Sequence, residues 1–235
     1  MATSETSCPG WVLHRRPYRN TSLLVDLLTE QHGRVCAVAK GGRRDPLLQP
    51  FRSVQVRLRG SGDLKTLLAI EPLAPAIPLS GEGLYCGLYM NELLLRLLHR
   101  DDAHTELLSL YQDTLNGLVD AADARDIHLR HFEFRLLDML GYGIDLAQDI
   151  NGHALVAGQR YRLLPDEGLV MDVRGEFDGS LLRALGEGDW QPEVRRLARD
   201  LMRAVLAPHL GDRPLASREL FRGAVSSHTP WREDE

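Results

Sequence analysis

The apolar residues of this chain change period once, near residue 80, and that change limits the folds open to it. Before it they fall in short runs typical of strands; after it they recur at helical spacing. "SVQVRLR" (residues 53–59) alternates strictly. Val54, Val56 and Leu58 share one face, Gln55, Arg57 and Arg59 the other, the pattern of a half-buried strand with a cationic outer side. "WVLHRR", "TSLLVDLLT", "RVCAVAK" and "LKTLLAIEP" supply four more runs, with turns at "EQHG" and "GSGD". Five short strands in about 60 residues, with no long helix among them, predict a small closed barrel such as an OB-fold.

The proline-bearing stretch "EPLAPAIPLSGEG" reads as a linker, which places a domain boundary near residue 80: a barrel over 1–80 and a helical domain over 81–235. "LYCGLYMNELLLRLLHR" is apolar nearly all round and belongs at the centre of a helical core, where Asn91 and Glu92 need partners. "DDAH" offers a cap for a second helix, "TELLSLYQDTLNGLVDAA". A third, "IHLRHFEFRLLDMLG", ends at Gly141. Residues 150–175 turn β-like again in "HALVAG", "RYRLL" and "GLVMDV". Two helices follow, near 178–186 and 191–208, with Pro192 suited to a first turn. The tail "SSHTPWREDE" is expected to be disordered. The fold class is therefore α+β, with a small β insert inside the helical part.

Charge is unevenly spread. Residues 1–80 carry eleven Lys/Arg against six Asp/Glu, while residues 81–235 carry seventeen against twenty-seven. A basic first third on an acidic body points to a localised polyanion site. No apolar run is long enough to span a membrane, and the start has no export signal, so a cytoplasmic protein is expected. Cys8, Cys36 and Cys86 are widely spaced and form no C-x-x-C, which argues against a disulfide framework and a cysteine zinc site.

"KGGRR" (residues 40–44) lacks the Lys and hydroxyl that a phosphate loop needs after its second glycine, and no G-x-G-x-x-G is present. His128 and His131 lie one turn apart, yet no third ligand group accompanies them, so no metal is expected. No catalytic motif appears, and neither catalytic residues nor a cofactor are assigned. The cations of the barrel are the better candidates. Arg15, Arg16 and Arg19 flank Tyr18; Arg34, Lys40, Arg43 and Arg44 bracket a hairpin; Arg57, Arg59 and Lys65 lie on the last two strands. On a small barrel such residues can follow a sugar–phosphate backbone, with Tyr18 as a stacking surface. The competing reading is a solvated barrel surface.

Three long stretches carry a resemblance. "VLHRRPYRNTSLLVDLLTEQHGRVCAVAKGGRR…LLQPF", "GLYMNELLLRLL" with "LRHFEFRLLDMLGYGIDL", and "VLAPHLGDRPLASRELFR" (205–222) resemble, in that order, the RecO family of bacterial recombination mediators. The likeness runs from Trp11 to Arg222. It implies an N-terminal OB-fold, a helical C-terminal domain and no enzyme activity. It further implies binding of single- and double-stranded DNA, annealing of complementary strands, and action with RecR on DNA coated by single-stranded-DNA-binding protein (SSB) to help load RecA. A family-like site for the SSB tail falls on Arg130, with Phe132 in its apolar wall. Two departures stand out. Many members carry four zinc-binding cysteines in the insert, whereas residues 149–173 here contain none. The loop between "KG" and "LLQPF" is also short.

Overall fold

Strand β1 (Glu5–Tyr18) is long enough to pair twice. Glu5 to Trp11 run antiparallel to β4 (Ser53–Arg59) and Gly10 to Tyr18 antiparallel to β2 (Ser22–Thr29), with a bulge between Val12 and His14 in the pairing with β2. The computed structural model describes residues 5–220. β2 continues antiparallel into β3 (Gly33–Ala39), β3 pairs in parallel with β5 (Leu64–Pro72), and β5 returns antiparallel to β4. The closed order β1-β2-β3-β5-β4 is that of an OB-fold. Alternation fills it: Cys8, Val12, Leu23, Val25, Leu27, Val35, Ala37, Val54, Val56 and Leu58 face inward and are buried.

By contacts the described residues form two compact units, one of residues 5–122 with 215–220, the other of 123–214. In the first, α1 (Gly81–Leu97) and α2 (Leu107–Asp120) accompany the barrel. They cover the outer side of its lower half, where Trp11 meets Tyr111 edge-on at 5.5 Å and Asp26, Leu28 and Cys36 are buried. The Tyr111 hydroxyl donates to Asn91 Oδ1 (2.6 Å) and Asn91 Nδ2 donates to the Leu13 carbonyl (2.8 Å). That chain supplies the partners a buried Asn in α1 requires. α2 begins after Glu106, without a side-chain cap, and not from the expected "DDAH" cap; Asp101 is engaged elsewhere.

The second unit holds α3 (Arg125–Met139), a three-stranded sheet, α4 (Gly179–Gly186) and α5 (Pro192–Leu210). The sheet has the order β7-β6-β8, from β6 (Arg160–Leu164), β7 (Gly168–Met171) and β8 (Phe177–Asp178). Gly141 follows α3 with φ +79°, as a helix-ending glycine should, and Pro192 opens α5. "HALVAG" is not a strand. Only an isolated bridge, Gln148 to Ala154, crosses a turn wound on Asp149, whose carboxylate accepts from the amides of Asn151 (2.9 Å) and His153 (3.0 Å). All three cysteines are buried. No helix of the described residues is long and apolar enough to cross a membrane. The tail from Phe221 onward lies outside the described residues.

Candidate nucleic-acid interface

Two basic segments far apart in sequence meet at one end of the barrel. Gly41 takes a left-handed φ of +69°, and Gly42 packs so closely on Ala39 and Leu48 that a Cβ would fall within 3 Å of both. The two glycines thus turn residues 42–44 back on the β1–β2 turn. There the Arg43 amide donates to the Thr21 carbonyl (3.3 Å) and the Arg43 guanidinium to the Arg19 carbonyl (2.8 Å). Arg19 itself is left-handed (φ +51°), and its guanidinium lies 5.2 Å over the Tyr18 ring. Tyr18, Arg19, Lys40, Arg43 and Arg44 therefore belong to one basic rim, all but half-buried Tyr18 exposed.

Strand register extends the rim across the barrel. Arg16 aligns with Leu24, Leu24 with Val38, Val38 with Thr66, and Thr66 with Arg59. All five face outward, because their neighbours Val25, Ala37, Leu67 and Leu58 fill the core. The row has a cation at each end and half-buried Leu24, Val38 and Thr66 between. Arg57 extends it on β4, aligned with Ser7 and Ala69. Leu24, Val38 and Thr66 were not singled out from the sequence. The signal was the failure of "TSLLVDLLT" to alternate, which marks a strand that keeps apolar residues on both faces.

Other expected contacts are withdrawn from solvent or already engaged. Lys65 alternates to the inner side, is 6% exposed, and binds Asp101 Oδ1 at 2.5 Å. Arg34 donates to the carbonyls of Leu95 (2.5 Å) and Leu98 (3.3 Å) and lies 3.4 Å from Asp26, so it ties β3 to the end of α1. Neither side chain is free to reach a phosphate. Arg15 aligns with core-facing Val25 and is half-buried, on the opposite face from Arg16. Arg59 is exposed but pairs with Glu5, Nε at 2.9 Å. Arg16, Lys40, Arg44 and Arg57 carry no ion pair among the described residues.

In the second unit Arg130 is held by Glu133 (2.7 Å), and Phe132 is completely buried, a core aromatic and not a pocket wall. The neighbouring positions of α3 do line a cleft. It measures about 800 Å³ and is bounded by His131, Phe134, Leu155, Arg183, Glu187 and Trp190. His131 meets Trp190 edge-on at 5.0 Å. Burial, helped by nearby His128, lowers the His131 imidazole below its usual range and favours the neutral ring. Arg183 is half-exposed at the cleft, 3.7 Å from Glu187. Among the described residues no group of three His, Cys, Asp or Glu is placed to hold a metal ion.

Similarity to known proteins covers most of the chain. The family model described as "Recombination protein O N terminal" matches residues 1–76, and "Recombination protein O C terminal" matches residues 79–219. The DNA repair protein RecO of Stutzerimonas stutzeri is 48% identical over 225 residues, 93% of this chain and 94% of that protein. Those of Pseudomonas entomophila (46% identical; 91% of this chain, 96% of that one) and Halorhodospira halophila (44%; 91% and 95%) are similar to it as well. The chain belongs to the RecO family of DNA repair proteins.

Proposed function

We propose that this protein is a DNA-binding recombination mediator that anneals complementary single strands and, with RecR, helps load RecA onto SSB-coated DNA. The observation that carries the reading is the outer face of the barrel, where Arg16, Lys40, Arg44 and Arg57, without an ion pair among the described residues, surround the apolar middle of Leu24 and Val38. Cations neutralise phosphates and release counterions; the apolar strip suits sugars and base faces. Holding two strands on such surfaces lowers their repulsion, and base pairing supplies the driving free energy. The scheme calls for no nucleotide hydrolysis and no cofactor. Both single- and double-stranded DNA present the phosphates it needs. The SSB tail, acidic and ending in phenylalanine, fits the cleft of Phe134, Leu155 and Trp190, with Arg183 for its carboxylate. This shifts the expected site from Arg130 and Phe132 to the cleft beside them. The division at residue 80 and a cytoplasmic, nucleoid-associated location complete the proposal.

A salt series with a fluorescent single-stranded oligonucleotide tests it. The triple variant Arg16→Ala, Lys40→Ala, Arg57→Ala should bind weakly and lose about 2 units of log–log salt slope, given ~0.7 per phosphate contact. An unchanged slope rejects the face. A second reading, a scaffold for RecR and SSB with weak DNA contact, is favoured by the engagement of Arg34, Arg59 and Lys65 within the protein. It predicts partner binding that survives high salt and oligonucleotide binding that is absent even at low salt.

A further inference from the structure

Two of the stretches noted in the sequence, "MNELL" in α1 and "PLASREL" near the chain's end, have no part in either ligand surface, yet they meet. The Glu92 carboxylate accepts from the Ala216 amide (3.0 Å), the Ser217 amide (2.9 Å) and the Ser217 hydroxyl (2.7 Å). Arg96, one turn along α1, donates to the same carboxylate at 2.8 Å. Leu215 and Ser217 are buried beside it, and residues 216–220 are helical. The carboxylate thus stands at the first turn of that segment, where backbone amides lack helical partners. Although residues 123–214 form a unit of their own, residues 215–220 belong to the barrel-bearing unit.

We infer that Glu92 is a clasp that fastens the returning strap 215–220 onto the barrel-bearing unit, so that the 123–214 unit is tethered at both of its ends. The chain leaves the first unit after Ala122 and rejoins it at Leu215. Three polar contacts of the strap, two from amides and one from a hydroxyl, run to this one side chain. Burial pushes the Glu92 carboxyl up, but the hydrogen bonds from Ser217 and Ala216, with Arg96, outweigh it and hold it below its ordinary value. This is the behaviour of a carboxylate that the contacts require to be charged.

Amide hydrogen exchange on the full chain reads the clasp directly. Glu92→Gln should speed exchange at Ala216 and Ser217 by about 10- to 100-fold, as loss of charge-assisted bonds implies, with β2 and β3 protected as before. Ser217→Ala keeps both backbone donors and should speed the same amides by less. The double variant should fall short of the product of the two single effects, because both act through one carboxylate. Strap amides that exchange as slowly in Glu92→Gln as in the parent overturn the clasp, as does a double variant equal to that product. Should Glu92→Gln fail to fold, Ser217→Ala decides alone: faster strap exchange over an unchanged barrel supports the clasp, and unchanged strap exchange overturns it.

Discussion

Which way a barrel residue points decides whether its charge is available. Thr66 faces out and Lys65, one residue earlier, faces in, so the ammonium leaves the barrel only where Asp101 receives it. Lys65→Ala leaves Asp101 without that partner and removes a packed alkyl stem. It should lower stability by about 1–3 kcal/mol in urea unfolding, while the salt slope of oligonucleotide binding stays at the parent value. A fallen slope in a folded Lys65→Ala protein returns this residue to the interface. "SVQVRLR" disclosed its own orientation, because strict alternation names the outer face. "LKTLLAI" did not, since apolar residues occupy both parities and the partner of Lys65 lies 36 residues away. Arg34 is hidden in a similar way: besides Asp26, its acceptors are the main-chain carbonyls of Leu95 and Leu98 at the end of a helix, which no composition reveals.

Elements were legible where period and punctuation agreed. α1, α3 and α5 announced themselves by spacing, Gly141 and Pro192, and α1 also showed the polar pair its burial had to satisfy. Tyr111→Phe tests that satisfaction. It strips the hydroxyl from buried Asn91 and should lower stability by about 1–3 kcal/mol, measured by urea unfolding; a neutral effect means that Asn91 finds another donor. The insert was less legible, because four apolar letters in "HALVAG" resemble a strand while the real organiser is one aspartate before them. The backbone hydrogen bond from His153, with those of Asn151, holds the Asp149 carboxyl below its ordinary value despite its burial. A depressed carboxyl stabilises the turn fully above the unfolded value of about 4. That stabilisation is lost as pH falls through the lower folded value. The Asn151 and His153 amide signals should therefore report loosening only in that acid window, and Asp149→Asn should flatten the profile. Loosening already at neutral pH contradicts the assignment.

At the scale of the whole molecule, charge and apolar surface are divided between two units. The excess of cations over carboxylates belongs to residues 1–80, while the aromatic cleft lies in residues 123–214. If the two surfaces take different ligands, each can be removed alone. Trp190→Ala, or Arg183→Glu, should weaken binding of an acidic peptide ending in phenylalanine by about tenfold or more, the usual scale for an aromatic anchor or a charge reversal. Neither should alter the oligonucleotide salt slope. Arg16→Ala, Lys40→Ala, Arg57→Ala should do the reverse, and mixing a barrel-defective with a cleft-defective protein should not restore annealing of SSB-coated strands if both surfaces must act in one chain. Restoration by mixing would mean that the surfaces work on separate molecules. Loss of both ligands from either variant, with the fold verified by hydrogen exchange, would mean a single shared surface, and the division of labour argued from these two units would be wrong.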